Sequence, residues 1–184
     1  IDLGHDTMHH IVSYLNCIGS ARVGWHLRSK LAPGAKCVLE HGGLAPVIMD
    51  STANIDDSIP LLTRGGFYHA GQVCVSVQRI YLHSSLAEEF TRKFRAAAEE
   101  LTTGDPLATT TDVGPLILER EVDRVDSWVK EAIDSGATLI CGGQKLSAST
   151  YAPTILLNPS EDARISQEEV FGPVTAVIAH DGLE

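Results

Sequence analysis

The first quarter of the chain alternates between strand-like and helix-like patterns of apolar residues. Residues 11–18 (IVSYLNCI) are rich in β-favouring side chains and predict a strand. Residues 36–43 (KCVLEHGG) and 45–49 (APVIM) predict two more short strands. The segment between the first two predicts a helix that begins after Ser20, a good N-cap, and stops before Pro33. This order is typical of a strand–helix–strand unit.

Three longer helices are predicted downstream. The first opens in an acidic turn at Asp56, with Pro60 close behind, and runs through LLTRGGFYHA. The second, SSLAEEFTRKFRAAAEEL, has a clear apolar stripe and Ser85 as its expected cap. The third, EREVDRVDSWVKEAIDSG, ends at Gly136, a residue that favours the left-handed conformation found beyond helix ends. A polar, turn-rich loop (102–116) separates the last two helices.

The remaining apolar runs predict strands. Residues 75–83 (VSVQRIYLH) alternate between apolar and polar, whereas residues 137–143 (ATLICGG) have the continuous apolar character of a buried strand. Residues 151–158 (YAPTILLN) and the end of residues 168–180 (EEVFGPVTAVIAH) predict two further strands. Because strands and helices alternate, we expect an α/β fold in three layers, with a mostly parallel sheet covered on both faces.

Composition narrows the class of protein. The chain has 184 residues, of which 43% are hydrophobic and 21% charged, as in ordinary globular proteins. A formal net charge of −10 argues against binding to nucleic acid or to an anionic membrane surface, because phosphates would be repelled. No apolar run reaches the roughly 18 residues of a transmembrane helix. The four cysteines are scattered without a C-x-x-C pair, so we expect free thiols in the cytoplasm and no metal site.

The turn at Gly19 and Ser20 is a candidate phosphate site. It joins a predicted strand to a predicted helix, and Gly24 follows one turn into that helix. Such a junction presents unpaired backbone N–H groups and the positive end of a helix dipole to an anion. A glycine and a cap are also what any strand-to-helix turn requires, and G-S-x-x-x-G departs from the G-x-G-x-x-G dinucleotide fingerprint. The residues alone leave both interpretations open.

Two further residues are candidates for catalysis. Glu40 ends an apolar strand before two glycines, where a carboxylate can act as a general base or simply face solvent. Cys74 follows Gly71, Gln72 and Val73. Its thiol can be a nucleophile or a small buried residue, and an unperturbed cysteine pKa of about 8.5 leaves only a small thiolate fraction at neutral pH. A working nucleophile at Cys74 therefore requires assistance from neighbouring groups.

Taken together, these motifs resemble the aldehyde dehydrogenase superfamily. A glycine-serine turn before a helix, VLEHGG, GQVC and EEVFGPV follow one another with the order and spacing of that family along essentially the whole chain. The resemblance implies that Cys74 is the nucleophile that attacks the aldehyde, and that its backbone N–H forms half of an oxyanion hole. It implies that Glu40 activates water for hydrolysis of the resulting thioester.

The same resemblance implies the cofactor and its contacts. The cofactor is NAD, with NADP as the other possibility. Gly19 and Ser20 match the turn that contacts the pyrophosphate, Glu169 the carboxylate that binds the nicotinamide ribose, and Phe171 the aromatic ring near the nicotinamide. Here the family's usual ELGGK is replaced by EHGGL. A small aldehyde, of the lactaldehyde or phosphonoacetaldehyde type, is the expected substrate, and the family assembles as homodimers or homotetramers.

The resemblance also sets the expected domains. Residues 1–40 match the C-terminal part of the NAD(P)-binding, Rossmann-like domain, and residues 41–184 most of the catalytic thiol domain. The chain thus corresponds to the central portion of the family fold, incomplete at both ends, and we expect the isolated piece to lack dehydrogenase activity. Two alternatives keep the same fold: a dehydrogenase that transfers the acyl group to coenzyme A, which Glu40 disfavours, and a non-catalytic structural or binding protein.

Overall fold

The computed structural model describes residues 12–182. They form two compact units with a boundary between Gly43 and Leu44. Within residues 12–182, no helix has both the length and the apolar character that a membrane crossing requires. The expected strand at 11–18 begins at Ile11, which lies outside the described residues.

The first unit is a parallel strand pair joined by a helix. Strands β1 (Tyr14–Gly19) and β2 (Lys36–His41) pair in parallel, and helix α1 (Ala21–Arg28) connects them. The Ser20 hydroxyl accepts a hydrogen bond from the backbone N–H of Val23 at 3.4 Å, so the predicted N-cap is confirmed. The carboxyl ends of β1 and β2 therefore lie side by side at the start of α1.

The second unit contains a five-stranded sheet in the order β3-β4-β7-β6-β5. All neighbours pair in parallel except β5 and β6, which are antiparallel. The first four residues of β7 are all buried, so this strand is covered on both faces, as a three-layer α/β fold requires. The mostly parallel sheet is thus confirmed. Its strands are β3 (Val47–Met49), β4 (Arg79–His83), β5 (Thr138–Cys141), β6 (Thr154–Leu157) and β7 (Val174–His180).

Four helices accompany this sheet, and two of them share an aromatic cluster. Phe90 and Phe94 have ring centroids 5.3 Å apart, and Phe94 stacks on Phe67 of the preceding helix at 5.9 Å. All three rings are fully buried, each stabilising the fold by about 1.5–3 kcal/mol. The helices are α2 (Ile55–Phe67), α3 (Ala87–Glu99), α4 (Glu119–Asp134) and α5 (Arg164–Gln167), with 3₁₀ turns at Tyr68–Gly71 and Ser84–Leu86.

Three local predictions are wrong. Ser85 is not the cap of α3, because a 3₁₀ turn precedes that helix and the backbone N–H of Ser85 donates instead to the His83 ring. The strand expected at 75–83 begins only at Arg79, because residues 75–78 belong to a loop with its own hydrogen bonds. Strand β5 is an exposed edge strand over Thr138–Leu139 rather than a buried one.

Candidate functional site

Cys74 lies at the tip of a tight turn in the second unit. The backbone N–H of Ser76 donates to the carbonyl of Val73 at 2.9 Å, which makes Cys74 and Val75 the central residues of the turn. The Cys74 side chain is exposed, and its backbone N–H donates to no other group within residues 12–182. An exposed thiol and a free backbone donor therefore sit on one residue, as nucleophilic attack on a carbonyl requires.

The approach to this turn is strained. His69, Ala70 and Gly71 are three consecutive residues with positive φ, at 52°, 54° and 68°. Each non-glycine residue in this conformation costs about 1–2 kcal/mol, so the surrounding structure must hold the chain here. Gly71 faces the backbone of Gly172: a Cβ at this position would lie 2.6 Å from the Gly172 carbonyl carbon, and closer to its oxygen. Only glycine fits at this contact.

Polar side chains, Gln72 half-buried and Ser76 buried, fix the two ends of the turn. The Gln72 amide donates to the carbonyl of Pro115 at 3.2 Å and accepts from the N–H of Ile117 at 2.9 Å. On the other side, the Ser76 hydroxyl donates to the carbonyl of Gly66 at 3.2 Å, at the end of α2. The turn that carries Cys74 is therefore anchored to two elements, which restricts the positions that the thiol can adopt.

The segment around Glu169 and Phe171 is fixed from two sides. The N–H of Val170 donates to the side-chain oxygen of Gln78 at 2.9 Å, and its carbonyl accepts from the Arg124 guanidinium at 2.7 Å. Glu169 is half-buried, whereas Phe171 has a positive φ of 48° and leaves 42% of its surface exposed. Because Gly172 contacts Gly71, this segment and the Cys74 turn lie against each other in one unit.

The first unit brings together Gly19, Ser20 and Glu40. Ile18 pairs with Glu40 in the parallel register, so the Glu40 carboxylate leaves β2 beside the end of β1. A Cβ added at Gly19 would meet nothing within 4 Å, so the side of Gly19 that a side chain would occupy is open. Gly24 is buried instead, and a Cβ there would lie 3.3–3.4 Å from His41 and Leu39 side-chain atoms. Its observed contacts are those of a helix packed closely on β2.

The other three cysteines differ from Cys74. Cys141 is buried, and loss of solvation raises the pKa of its thiol to about 11, which keeps it protonated at neutral pH. Cys17 and Cys37 lie on β1 and β2 and are half-buried. Among residues 12–182, no three His, Cys, Asp or Glu side chains converge in the manner of a metal site. Of the four thiols, Cys74 is the only exposed one.

The structure divides the predicted site residues between its two units and adds residues that the sequence did not single out. Gln78, Ser76 and Arg124 hold the chain around Cys74 and Glu169, yet the sequence predicts only ordinary strand and helix segments at these positions. In VSVQ the polar residues Ser76 and Gln78 are buried while Val75 is 63% exposed. This is the reverse of the pattern that a solvent-facing strand would show.

Comparisons with known proteins agree with these features. A profile described as "Aldehyde dehydrogenase family" matches residues 5–184. A 3-sulfolactaldehyde dehydrogenase from Priestia aryabhattai is 39% identical over 94% of this chain and 36% of its own length. The chain thus spans about a third of the length of the curated relatives it matches.

Solved structures give the same result. An NAD-dependent aldehyde dehydrogenase from Sinorhizobium meliloti superposes with a TM-score of 0.92 at 30% identity, covering 98% of this chain and 37% of that one. A glyceraldehyde-3-phosphate dehydrogenase from Methanocaldococcus jannaschii, complexed with NADP, superposes with a TM-score of 0.90 at 35% identity, covering 97% and 39%. The fold is therefore shared with dehydrogenases of known structure.

Proposed function

This chain belongs to the aldehyde dehydrogenase family, and we propose that the protein oxidises an aldehyde to a carboxylate with NAD(P) as hydride acceptor. The observation that carries the proposal is the exposed Cys74 thiol on a turn fixed at both ends. A nucleophile must be both accessible and held in place, because orientation of reacting atoms supplies much of the rate. The residue that the family motif assigns to this role has both properties.

The chemistry on Cys74 has three stages. The thiolate attacks the aldehyde carbon, a C–S bond forms, and the carbonyl oxygen becomes an oxyanion that the free N–H of Cys74 can stabilise. NAD(P), when bound, would supply the hydride acceptor, and loss of the hydride would break the C–H bond with its electron pair and leave a thioester on the Cys74 sulfur. Water then attacks the thioester, the C–S bond breaks, and the carboxylate leaves with the thiol restored.

Glu40 is the base for the hydrolytic stage. A carboxylate within reach of water can take its proton as the C–O bond forms, an effect of about 10²–10⁴ in rate. Glu40 is exposed at the carboxyl end of β2, and Gly42 and Gly43 follow it. Gly42 has a positive φ of 72°, so the chain turns sharply just after the carboxylate. The presence of this carboxylate favours hydrolysis, and with it a carboxylate product, over transfer to coenzyme A.

The residues proposed to hold NAD(P) fit that group. The α1 N-terminus follows Gly19, whose Cβ position is open, and its backbone N–H groups would bind the pyrophosphate. In the second unit, Glu169 would bind the ribose hydroxyls, and the exposed ring of Phe171 would lie by the nicotinamide. Gly24 supports the same site by letting α1 lie close on β2. As the family resemblance implies, the NAD(P)-binding domain would include residues 1–40. The thiol domain would include residues 41–184.

The proposed substrate is a small functionalised aldehyde. The Priestia relative is named for 3-sulfolactaldehyde, and the Methanocaldococcus structure for glyceraldehyde 3-phosphate. Both are short aldehydes that carry an anionic group. A panel of short aldehydes with and without a sulfonate, phosphonate or carboxylate, assayed with NAD and with NADP, tests this choice. Location in the cytoplasm and assembly as a homodimer or homotetramer remain predictions of the family resemblance.

Alkylation by iodoacetamide tests the role of Cys74. Exposure alone cannot make a folded thiol react faster than the same thiol in unfolded protein, whereas activation can. We expect Cys74 of the intact, folded protein to react faster than Cys74 in urea, with loss of aldehyde oxidation in step with its labelling. Equal rates for all four cysteines, with no aldehyde oxidation, would support the non-catalytic alternative.

A further inference from the structure

We propose that Gln78 is a positioning residue, whose side-chain amide holds the backbone around Glu169 in place beside the Cys74 turn. This inference rests on the proposed function, in which Glu169 binds the nicotinamide ribose and Cys74 the aldehyde. Gln78 is buried, and we assign it no contact with either ligand. Its effect on the reaction is therefore exerted through the position of Glu169.

Three hydrogen bonds join the Gln78 side chain to the segment that contains Glu169. Its amide nitrogen donates to the carbonyls of Glu168 at 2.8 Å and Ile165 at 3.3 Å. Its amide oxygen accepts from the N–H of Val170 at 2.9 Å. The bonded backbone groups of Glu168 and Val170 lie immediately on either side of Glu169. A single side chain therefore fixes the backbone on both sides of the carboxylate that we assign to the cofactor.

The three hydrogen bonds of the Gln78 side chain form what we call the clamp. The backbone of Gln78, from which the clamp extends, is itself fixed by hydrogen bonds. The carbonyl of Gln78 accepts from the N–H of Ala176 in β7 at 2.9 Å, and its N–H donates to the carbonyl of Leu44 at 3.3 Å. The next residue, Arg79, donates through its guanidinium to the carbonyl of Ser166. The amide of Gln78 thus extends from a rigid strand end, four positions after the nucleophile. Displacement of Glu169 relative to the Cys74 turn would require these bonds to break.

The chemistry of the clamp selects glutamine. Gln78 is only 5% exposed, and its bonds to Ile165 and Val170 are buried, so without it those two backbone groups would be buried without a partner. An amide supplies two donors and an acceptor in one plane, whereas a carboxylate lacks donors and an aliphatic side chain lacks both. Methionine has nearly the same length and volume and would leave the Ile165, Glu168 and Val170 groups unpaired.

The matched test compares Gln78→Met with Thr175→Val in the intact protein. Thr175 is fully buried and donates to the carbonyl of Val77 at 3.2 Å, so its replacement also removes a buried hydrogen bond beside the Cys74 loop. Within residues 12–182, the Thr175 hydroxyl makes no hydrogen bond to the Glu169 segment. Thr175→Val therefore measures how a loss of stability near the Cys74 loop, without loss of the bonds to the Glu169 segment, affects the kinetic constants.

We expect Gln78→Met to raise the KM and the Kd for NAD(P) by about tenfold or more, because small misplacements of a binding group have large effects. The KM for the aldehyde and the alkylation rate of Cys74 should change by less than about twofold, and Thr175→Val should alter neither KM. Equal rises in both KM values, or an unchanged Kd for NAD(P) with only a lower melting temperature, would overturn the proposal.

Amide hydrogen exchange gives a readout that requires neither turnover nor a variant. The Val170 N–H lies outside the helices and strands, so without the Gln78 side chain it would exchange as a loop amide does. We expect it to be protected in the wild type, and to exchange up to about tenfold faster in Gln78→Met but not in Thr175→Val. An unprotected Val170 amide in the wild type would show that Gln78 does not hold this segment in place. A protected Val170 amide in an intact protein that does not oxidise aldehydes would refute the proposed function, but it would still support the positioning role of Gln78.

Discussion

The contact between Gly71 and Gly172 gives the sharpest prediction about how the Cys74 turn is held. A Cβ at position 71 would lie 2.6 Å from the Gly172 carbonyl carbon, whereas carbon atoms in contact are about 3.5–4.0 Å apart. Relief of this overlap requires the two backbones to separate by ~1 Å. The two backbones cannot move apart easily, because Val125 of α4 packs against Gly172.

The expected loss for Gly71→Ala has two parts. A left-handed φ of 68° costs an alanine about 1–2 kcal/mol, and forcing extra volume into a close contact costs about 1–3 kcal/mol more. Together they predict that the free energy of unfolding falls by about 2–5 kcal/mol, a large share of the roughly 5–15 kcal/mol typical of natural proteins. Urea unfolding followed by circular dichroism measures this loss.

Gly136→Ala is the matched control. Gly136 also has a positive φ, 105°, but an added Cβ there would meet nothing within 4 Å. It should therefore show the conformational cost alone, about 1–2 kcal/mol. If Gly71→Ala is no more destabilising than Gly136→Ala, the two backbones are not in contact and the reasoning about the Cys74 turn is refuted.

Three further predictions concern groups around the site. Because burial raises the Cys141 pKa to about 11, its alkylation should keep accelerating with pH up to that value; a plateau by pH 9, measured by peptide mass spectrometry, would contradict this. A hydrogen bond from Arg124 lowers the pKa of Glu121 below its ordinary 4.5, so this carboxylate stabilises the fold above that pH and ceases to do so as pH falls through the lowered value. The difference in unfolding free energy between wild type and Glu121→Gln should therefore shrink on acidification, and a constant difference would count against the ion pair. The Asn54 side chain caps α2 by accepting from the N–H groups of Asp56 and Asp57, so Asn54→Ala should cost about 1 kcal/mol in thermal or urea unfolding, and no loss would mean that the cap is dispensable.

Local signals in the sequence were sufficient for most of the fold. Ser20 lies between a β-rich run and an amphipathic run, and it caps α1 as its type predicts. Gly136 follows the end of α4 and has a positive φ, as its type predicts for a position just beyond a helix C-terminus. Strand–helix alternation then favours parallel pairing, and the sheet follows it everywhere except at β5.

The alternation in VSVQ led to a wrong strand prediction, because an alternating pattern does not show which side of the segment is buried. Val75 is 63% exposed while Ser76 and Gln78 are buried, since their side chains bond carbonyls of distant segments. The two partners of the Gln78–Val170 bond are 92 residues apart in the chain, and those of the Gln72–Ile117 bond 45 apart. No local pattern reports such pairs. The motifs assign roles to Cys74, Glu40 and Glu169, but they do not indicate which residues hold the segments around Cys74 and Glu169 in position.

The most direct test of the account is to trap the acyl group on the protein. In Glu40→Gln, removal of the base should slow thioester hydrolysis by about 10² or more while leaving the steps before it intact. After mixing with a substrate aldehyde and NAD(P), the intact mass of the variant should rise by that of one acyl group, and peptide mapping should place it on Cys74. An unmodified protein, or an adduct on Cys17, Cys37 or Cys141, would contradict the claim that Cys74 is the nucleophile.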